Sequence, residues 1–195
     1  MKQRGEHMKW MFIGLGSVFA AAIGGGLLAL FRKRHQISKD DIDGGVVKRY
    51  WDDVPKVIES SEIESFCYVV SLFAACEVDG LGHRVYKLES TMHDGDVFVK
   101  YDWYDRQGKS DKGEYKTDAD FMVRLQNIVA ERKFAQHNGY YHRVSGLPDM
   151  YGESLDIVYK SGECIHVHDN QSRFLPFEAE KELIMLFGAA TKLEN

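Results

Sequence analysis

The sequence lacks the features that define several protein classes. Its three cysteines, Cys67, Cys76 and Cys164, are an odd number without close pairing, a pattern that does not predict a disulfide framework. With only three prolines and 44% hydrophobic residues, the composition is that of a globular chain. No G-x-S-x-G, Walker, H-E-x-x-H or dinucleotide-binding motif occurs. The missing motifs favour a non-enzymatic protein and give no reason to expect a cofactor.

Charge is absent from one long stretch, residues 10–31. At about 1.5 Å per residue, a helix of this length spans roughly 33 Å, and a bilayer core is about 30 Å thick. Trp10 suits the headgroup region at one end, and Arg32-Lys33-Arg34 follows at the other. We therefore predict a basic tail at 1–9, a transmembrane helix at 10–31, a juxtamembrane cluster and linker at 32–61, and a soluble domain at 62–195.

A cleaved signal peptide is the alternative interpretation of the N-terminal segment. A basic start, an apolar stretch at 11–19 and the small residues at 20–22 favour cleavage. The apolar run continues to Phe31, however, which favours a retained single-pass anchor in the lipid bilayer. Six Lys/Arg lie within about twenty residues after the stretch and three lie before it, so the positive-inside rule favours a cytoplasmic soluble domain.

Small residues recur every fourth position in this stretch, at Gly16, Ala20 and Gly24. Such spacing lets two helix backbones approach closely in lipid. It predicts a homodimer formed through the transmembrane helix. The alternative is that small residues are simply frequent in membrane spans.

The charge of the rest of the chain argues against nucleic-acid binding. From residue 54 onward, 16 Lys/Arg oppose 24 Asp/Glu. Nucleic-acid binding rests on basic patches that neutralise phosphates, so an acidic domain is a poor candidate. We expect an unidentified protein partner instead.

Hydrophobic periodicity beyond the linker predicts an α+β domain with an antiparallel sheet of five or six strands and two helices on one face. The run at 66–75 is apolar on both faces, which is typical of a central strand. Residues 46–58 have helix-like spacing, although Pro55 limits any helix there. The remaining predicted elements are strands at 84–91, 97–104 and 114–116, a helix from Thr117 that ends at Asn138-Gly139, a hairpin of 154–160 with 163–168, and a helix at 177–192.

Residues 121–187 resemble a set of small bacterial proteins of unknown function. The matching pieces are Asn138-Gly139, Gly152-Glu153-Ser154, the turn Ser161-Gly162, and Phe174-Leu175-Pro176 before a helix that ends in Leu186-Phe187. An aromatic residue, often Trp, precedes the Asn-Gly pair in those proteins, whereas His137 stands there in this chain. The resemblance implies the fold and no activity.

Cys164, His166 and His168 are the strongest candidates for metal ligands. Residues two apart on a strand share a face, and thiolate and imidazole groups suit zinc or copper. A two-residue turn at Ser161-Gly162 pairs Tyr159 with Cys164, Ile157 with His166 and Leu155 with His168, which brings no carboxylate ligand close. A half-buried histidine pair is the alternative.

The segment 139–153 is the strongest candidate for partner binding. It is predicted to be a loop, and long loops in compact domains are often functional. Tyrosine and arginine suit interfaces. The candidate contacts are Tyr140, Tyr141, His142, Arg143 and Tyr151. The alternative is that the tyrosines pack over the end of the sheet. The chain is therefore interpreted as a membrane-anchored interaction or sensing protein, and the alternative is a membrane-tethered metal-dependent enzyme that uses Cys164, His166 and His168.

Overall fold

The computed structural model describes residues 45–73, 80–146 and 151–190, all within one compact unit, Ile42–Asn195. The predicted transmembrane helix with Gly16, Ala20 and Gly24 lies outside the described residues, as does Cys76. Within the described part of the chain, no helix is long and apolar enough to cross a membrane. The elements are β1 Val46–Tyr50, β2 Ile63–Ser71, β3 Arg84–His93, β4 Asp96–Asp105, β5 Ser110–Thr117, α1 Ala119–Glu131, a 3-10 helix Phe134–His137, β6 Tyr140–Val144, β7 Glu153–Tyr159, β8 Cys164–Asp169 and α2 Phe177–Leu186.

The described strands form one sheet of eight, in the order β1-β6-β8-β7-β2-β3-β4-β5, and the α+β class is confirmed. The predicted count of five or six strands is wrong, because β1 and β6 also join the sheet. The sheet is not purely antiparallel either, since β6 runs parallel to β8. β2 is an interior strand between β7 and β3, as its two apolar faces predicted.

One face of the sheet forms the hydrophobic core with both helices. Alternate residues of each central strand point toward the helices, which is the period-2 pattern of a sheet covered on one side. Phe187 just after α2 packs on Phe66 of β2 and on Phe121 of α1, with ring centroids 5.6 and 5.1 Å apart. Fully buried members of the core include Tyr68, Leu88, Val99, Leu125, Leu155, Ile157, Ile165 and Leu183.

The other face, which we call the open face, is not covered by any described helix. A single row of directly paired residues crosses it over six strands. In order from β8 to β5, the row is His166, Asp156, Cys67, Glu89, Lys100 and Glu114. Antiparallel sheets commonly expose one polar face to water, and this alternation of charge is consistent with that arrangement.

Helix α1 begins one residue later and ends earlier than the sequence predicts. Asp118, not Thr117, is the N-cap, and its side chain accepts the Asp120 N–H. The helix closes at Arg132, and Lys133 takes the left-handed conformation with φ 55°. The predicted end at Asn138-Gly139 is wrong because a residue in this conformation cannot continue a helix.

Candidate functional site

The predicted metal-binding and partner-binding residues, except Tyr151, lie at one end of the sheet. Strand β6 lies beside β8, so Tyr140–Arg143 and Cys164–His168 occupy neighbouring strands. The prediction that residues 139–153 form a loop is wrong over its first part, since Tyr140–Val144 is a strand paired with β1. Alternation then divides these residues between the two faces. We call strands β1 and β6, with Trp51 just after β1, the β1–β6 edge.

Two asparagines attach β6 to β8. Asn138 donates its side-chain N–H to the Cys164 carbonyl at 2.9 Å and accepts the His166 N–H at 2.8 Å. Asn170 accepts the Val144 N–H at 2.9 Å and donates to the Val144 carbonyl at 3.0 Å. Both asparagines are 2% exposed. Only two residues of β6 pair directly with β8, and the two side-chain amides add hydrogen bonds at either end of this short pairing.

On the helix side of this end, His142 and Asp169 form a hydrogen-bonded pair, with His142 Nδ1 3.0 Å from Asp169 Oδ1. Asp169 also accepts the Tyr140 hydroxyl at 3.2 Å and the N–H groups of Gln171 and Ser172 at 2.8 and 3.0 Å. Burial alone raises the pKa of Asp169, but these hydrogen bonds outweigh it and hold the pKa below its usual value. With four donors, Asp169 orders the chain after β8.

On the open face, three aromatic rings are in contact at the same end. Tyr141 lies 5.1 Å from the His168 ring at an interplanar angle of 28°, and Trp51 meets Tyr141 edge-on at 6.0 Å. Arg49 is directly opposite Tyr141, and Arg143 is two residues further along β6 on the same face. Both arginines are exposed. Aromatic rings beside exposed arginines are the composition that protein interfaces favour.

The predicted pairing of the β7–β8 hairpin is wrong by one residue. Cys164 is opposite Val158, His166 is opposite Asp156, and His168 is opposite Ser154. The loop has three residues, because the Tyr159 N–H donates to the Glu163 carbonyl and Gly162 adopts φ 87°. This register places the histidines on the open face, whereas the predicted register would have placed them among core residues.

The corrected pairing gives His166 a carboxylate neighbour. Its Nδ1 lies 2.6 Å from Asp156 Oδ1. Even so, across residues 45–73, 80–146 and 151–190 no group of three or more His, Cys, Asp or Glu side chains is placed to hold a metal ion. The metal site at Cys164, His166 and His168 therefore stays a prediction without geometric support. Transition-metal analysis of the purified chain tests it, and less than about 0.1 equivalent of bound metal would remove it.

Cys67, in the middle of the open face, is a poor nucleophile. Burial and the neighbouring carboxylates of Glu89 and Asp156 raise the pKa of the Cys67 thiol to about 12. Since the thiolate is the reactive form, this raised pKa disfavours a nucleophilic role for Cys67 near neutral pH. A structural role as a small, half-buried side chain follows.

A cavity of about 300 Å³ lies between α1, the 3-10 helix and the segment that joins β1 to β2, residues 51–62, which we call the connector. Its lining contains no carboxylate, imidazole or thiol, and its ionisable groups are Lys56, Lys133 and Tyr159. Burial raises the pKa of Tyr159 to about 12, which disfavours its phenolate form near neutral pH. The Lys56 ammonium at the cavity already donates to the Asn138 carbonyl. The lining residues are Lys56, Val57, Ile58, Gln126, Val129, Ala130, Lys133, Ala135, Gln136, Tyr159 and Ile165.

Tyr151 is the one predicted contact residue that lies elsewhere. Its hydroxyl is 3.5 Å from the Arg106 guanidinium, which stacks over Phe73 at 4.9 Å. The sequence does not mark Lys48, Arg49 and Trp51 as site residues, because all three lie in the segment 32–61 that is predicted to be a linker. Val46, Val47 and Tyr50 favour β structure, but a run of only five residues does not establish a strand without its pairing partner β6.

Comparisons with known proteins do not identify a family. No protein-family model matches the chain, and searches of curated proteins and of solved structures find no significant match.

Proposed function

We propose that the protein is a membrane-anchored, non-enzymatic interaction or sensing module whose binding surface is the β1–β6 edge. The observation that supports this choice of surface is the cluster of aromatic rings formed by Trp51, Tyr141 and His168. Arg49 and Arg143 lie on the same face. The anchor is the uncharged stretch at 10–31.

The non-enzymatic part of the proposal rests on how the polar groups are used. The Asp169 carboxylate accepts hydrogen bonds from four donors and so orders the chain. The side-chain amides of Asn138 and Asn170 form hydrogen bonds with main-chain groups. These are structural hydrogen bonds. Turnover of a substrate by the purified chain, abolished by one point substitution, would overturn this part.

Site-specific photo-crosslinking tests the surface. A photoreactive phenylalanine in place of Tyr141 should give a discrete crosslinked product in native membranes. The matched control is the same substitution at Tyr104, which is also on the open face and 51% exposed but belongs to β4. Equal products at both positions, or none at Tyr141, would show that the edge is not the binding surface.

A further inference from the structure

The β1–β6 edge is basic and aromatic in a domain that is otherwise acidic. The ten residues of β1 and β6 comprise three Lys/Arg, three tyrosines, three valines and one histidine, with no Asp or Glu. The opposite edge of the sheet, β5, carries two lysines and two acids. Positive charge is therefore concentrated at one edge of the sheet.

The cations of this edge are opposite side chains that carry no carboxylate, whereas three lysines elsewhere on the sheet form ion pairs with acids. Lys87, Lys100 and Lys116 each lie 2.5–3.1 Å from a carboxylate oxygen. At the β1–β6 edge, the register pairs Lys48 with His142, Arg49 with Tyr141 and Arg143 with Val47. Within the described residues, these cations face no carboxylate across the β1–β6 pair, which leaves them available to an external anion.

The cations lie on both faces of β1. Lys48 is on the helix side, where its Nζ is 5.5 Å from the Tyr50 ring centroid, while Arg49 is on the open face. An anionic partner must therefore reach around the strand, which suits a broad surface better than a groove. The exposed Tyr50 and the half-buried Trp51 lie beside Lys48 and Arg49, a combination that is typical of a membrane–water interface.

The chain also enters the domain at this edge. Only 14 residues, 32–45, separate the uncharged stretch from β1. Fully extended, they reach at most about 50 Å. The edge is thus the part of the sheet nearest, along the chain, to the proposed anchor.

We infer that the β1–β6 edge docks on the anionic lipid headgroups of the membrane that holds the anchor. This inference rests on the proposed function, because it takes both the anchor and the binding surface from it. Each Lys or Arg at an anionic surface strengthens binding about fivefold, so the three cations together give on the order of 100-fold. Asp52 and Asp53, exposed in the turn after β1, oppose this attraction.

Hydrogen exchange of the full chain in lipid nanodiscs, at one copy per disc, tests the inference. Discs of phosphatidylcholine are compared with discs containing about one-third phosphatidylglycerol. Amides of 46–51 and 140–144 should exchange about tenfold more slowly in the anionic discs, whereas β5 serves as the internal control at the opposite edge. The protection should disappear in about 1 M NaCl, where the Debye length is about 3 Å.

Charge variants sharpen the test. Lys48→Gln, Arg49→Gln and Arg143→Gln together should abolish the protection, with unchanged exchange in β2 as evidence that the domain still folds. The matched triple variant Lys109→Gln, Lys112→Gln and Lys116→Gln should leave it unchanged. Neutralising Asp52 and Asp53 with Asn should strengthen it.

Two outcomes would overturn the inference. Equal exchange in neutral and anionic discs would show that the edge does not recognise lipid charge. Protection in native membranes but in neither disc type would point to an acidic protein strand added to β1, and the proposed function would then stand without lipid docking. A crosslink at Tyr141 to a protein separates that case from failure of both proposals.

Discussion

Asn138 Oδ1 accepts the main-chain N–H of His166 at 2.8 Å. The same amide donates to the carbonyls of Cys164 and Pro55 at 2.9 and 2.8 Å. One buried side chain therefore joins β8, the connector and the start of β6. The β1–β6 edge depends on this junction for its position.

Replacing Asn138 with Ala should destabilise the protein by about 2–4 kcal/mol, because three main-chain groups lose their partner in a buried setting. Urea unfolding of the two proteins measures the difference. Asn127→Ala, on the exposed side of α1, is the matched control and should change the free energy of unfolding by less than about 0.5 kcal/mol. Similar values for both variants would mean that the junction is dispensable.

Leu125 tests the core face of α1. It is fully buried, so Leu125→Ala should cost on the order of 2–5 kcal/mol through lost burial and a residual cavity. Val123, on the same helix, is 58% exposed, and Val123→Ala should cost little. If thermal melts rank the two variants in the reverse order, the helix face is misassigned.

Replacing Lys133 with Gly should stabilise the protein. Its φ of 55° and ψ of 45° lie in the left-handed region, which costs a side-chain-bearing residue about 1 kcal/mol. Lys133→Gly should therefore raise the free energy of unfolding by about 0.5–1 kcal/mol, while Lys133→Ala keeps the strain. No gain from glycine relative to alanine in chemical denaturation would argue against this conformation.

Glu180 should make stability depend on pH. It is fully buried, its Oε1 has no hydrogen-bond partner within the described residues, and Arg173 lies 2.6 Å from Oε2. Burial raises the pKa of Glu180 from 4.5 to about 7, and Arg173 only partly opposes this. Between these two pH values the folded state binds more protons than the unfolded state, so stability falls as pH rises.

The comparison with Glu180→Gln isolates this effect. The variant cannot ionise, so its stability relative to the native protein should increase by on the order of 2 kcal/mol between pH 4.5 and pH 7.5. Glu182→Gln, at the exposed pair with Arg132, is the control and should show a much smaller trend. A flat difference across this range would mean that Glu180 ionises normally.

The sequence predicts the central elements because their signals are local and strong. The apolar run of β2, the alternation of β4 and the helical spacing of α1 each determine their own structure. Strands β1 and β6 have only five residues each, and they are strands because they pair with each other across more than 80 residues of chain. Such long-range pairing produces no local periodicity from which these two strands could be predicted.

The sequence predicts only part of the candidate site, because it marks Tyr141, Arg143 and His168 but not Lys48, Arg49 and Trp51, and it does not predict their arrangement. The alternation of Cys164, His166 and His168 correctly placed them on one face. Their partners depend on whether the hairpin loop has two or three residues, and Gly162 in the left-handed region is compatible with either. The side-chain amides of Asn138 and Asn170 bond residues that are distant in the sequence, so no local pattern predicts these hydrogen bonds. The local pattern Asn138-Gly139 predicts a helix end instead.

The last prediction concerns the proposed membrane helix. Replacing Gly16, Ala20 and Gly24 together with Leu should weaken self-association without blocking insertion, since leucine is at least as apolar as the residues it replaces. Its bulk would keep two backbones apart and remove the close packing that holds helices together in lipid. From the size of typical packing effects, the expected loss is about 1–3 kcal/mol. Energy transfer between labelled copies of the first 36 residues in membranes measures the change. Leucines at Ser17, Ala21 and Gly25, on a neighbouring stripe of the same helix, form the matched control and should have a smaller effect. If the two triple variants retain the same transfer efficiency as the native segment, the stripe reflects composition alone.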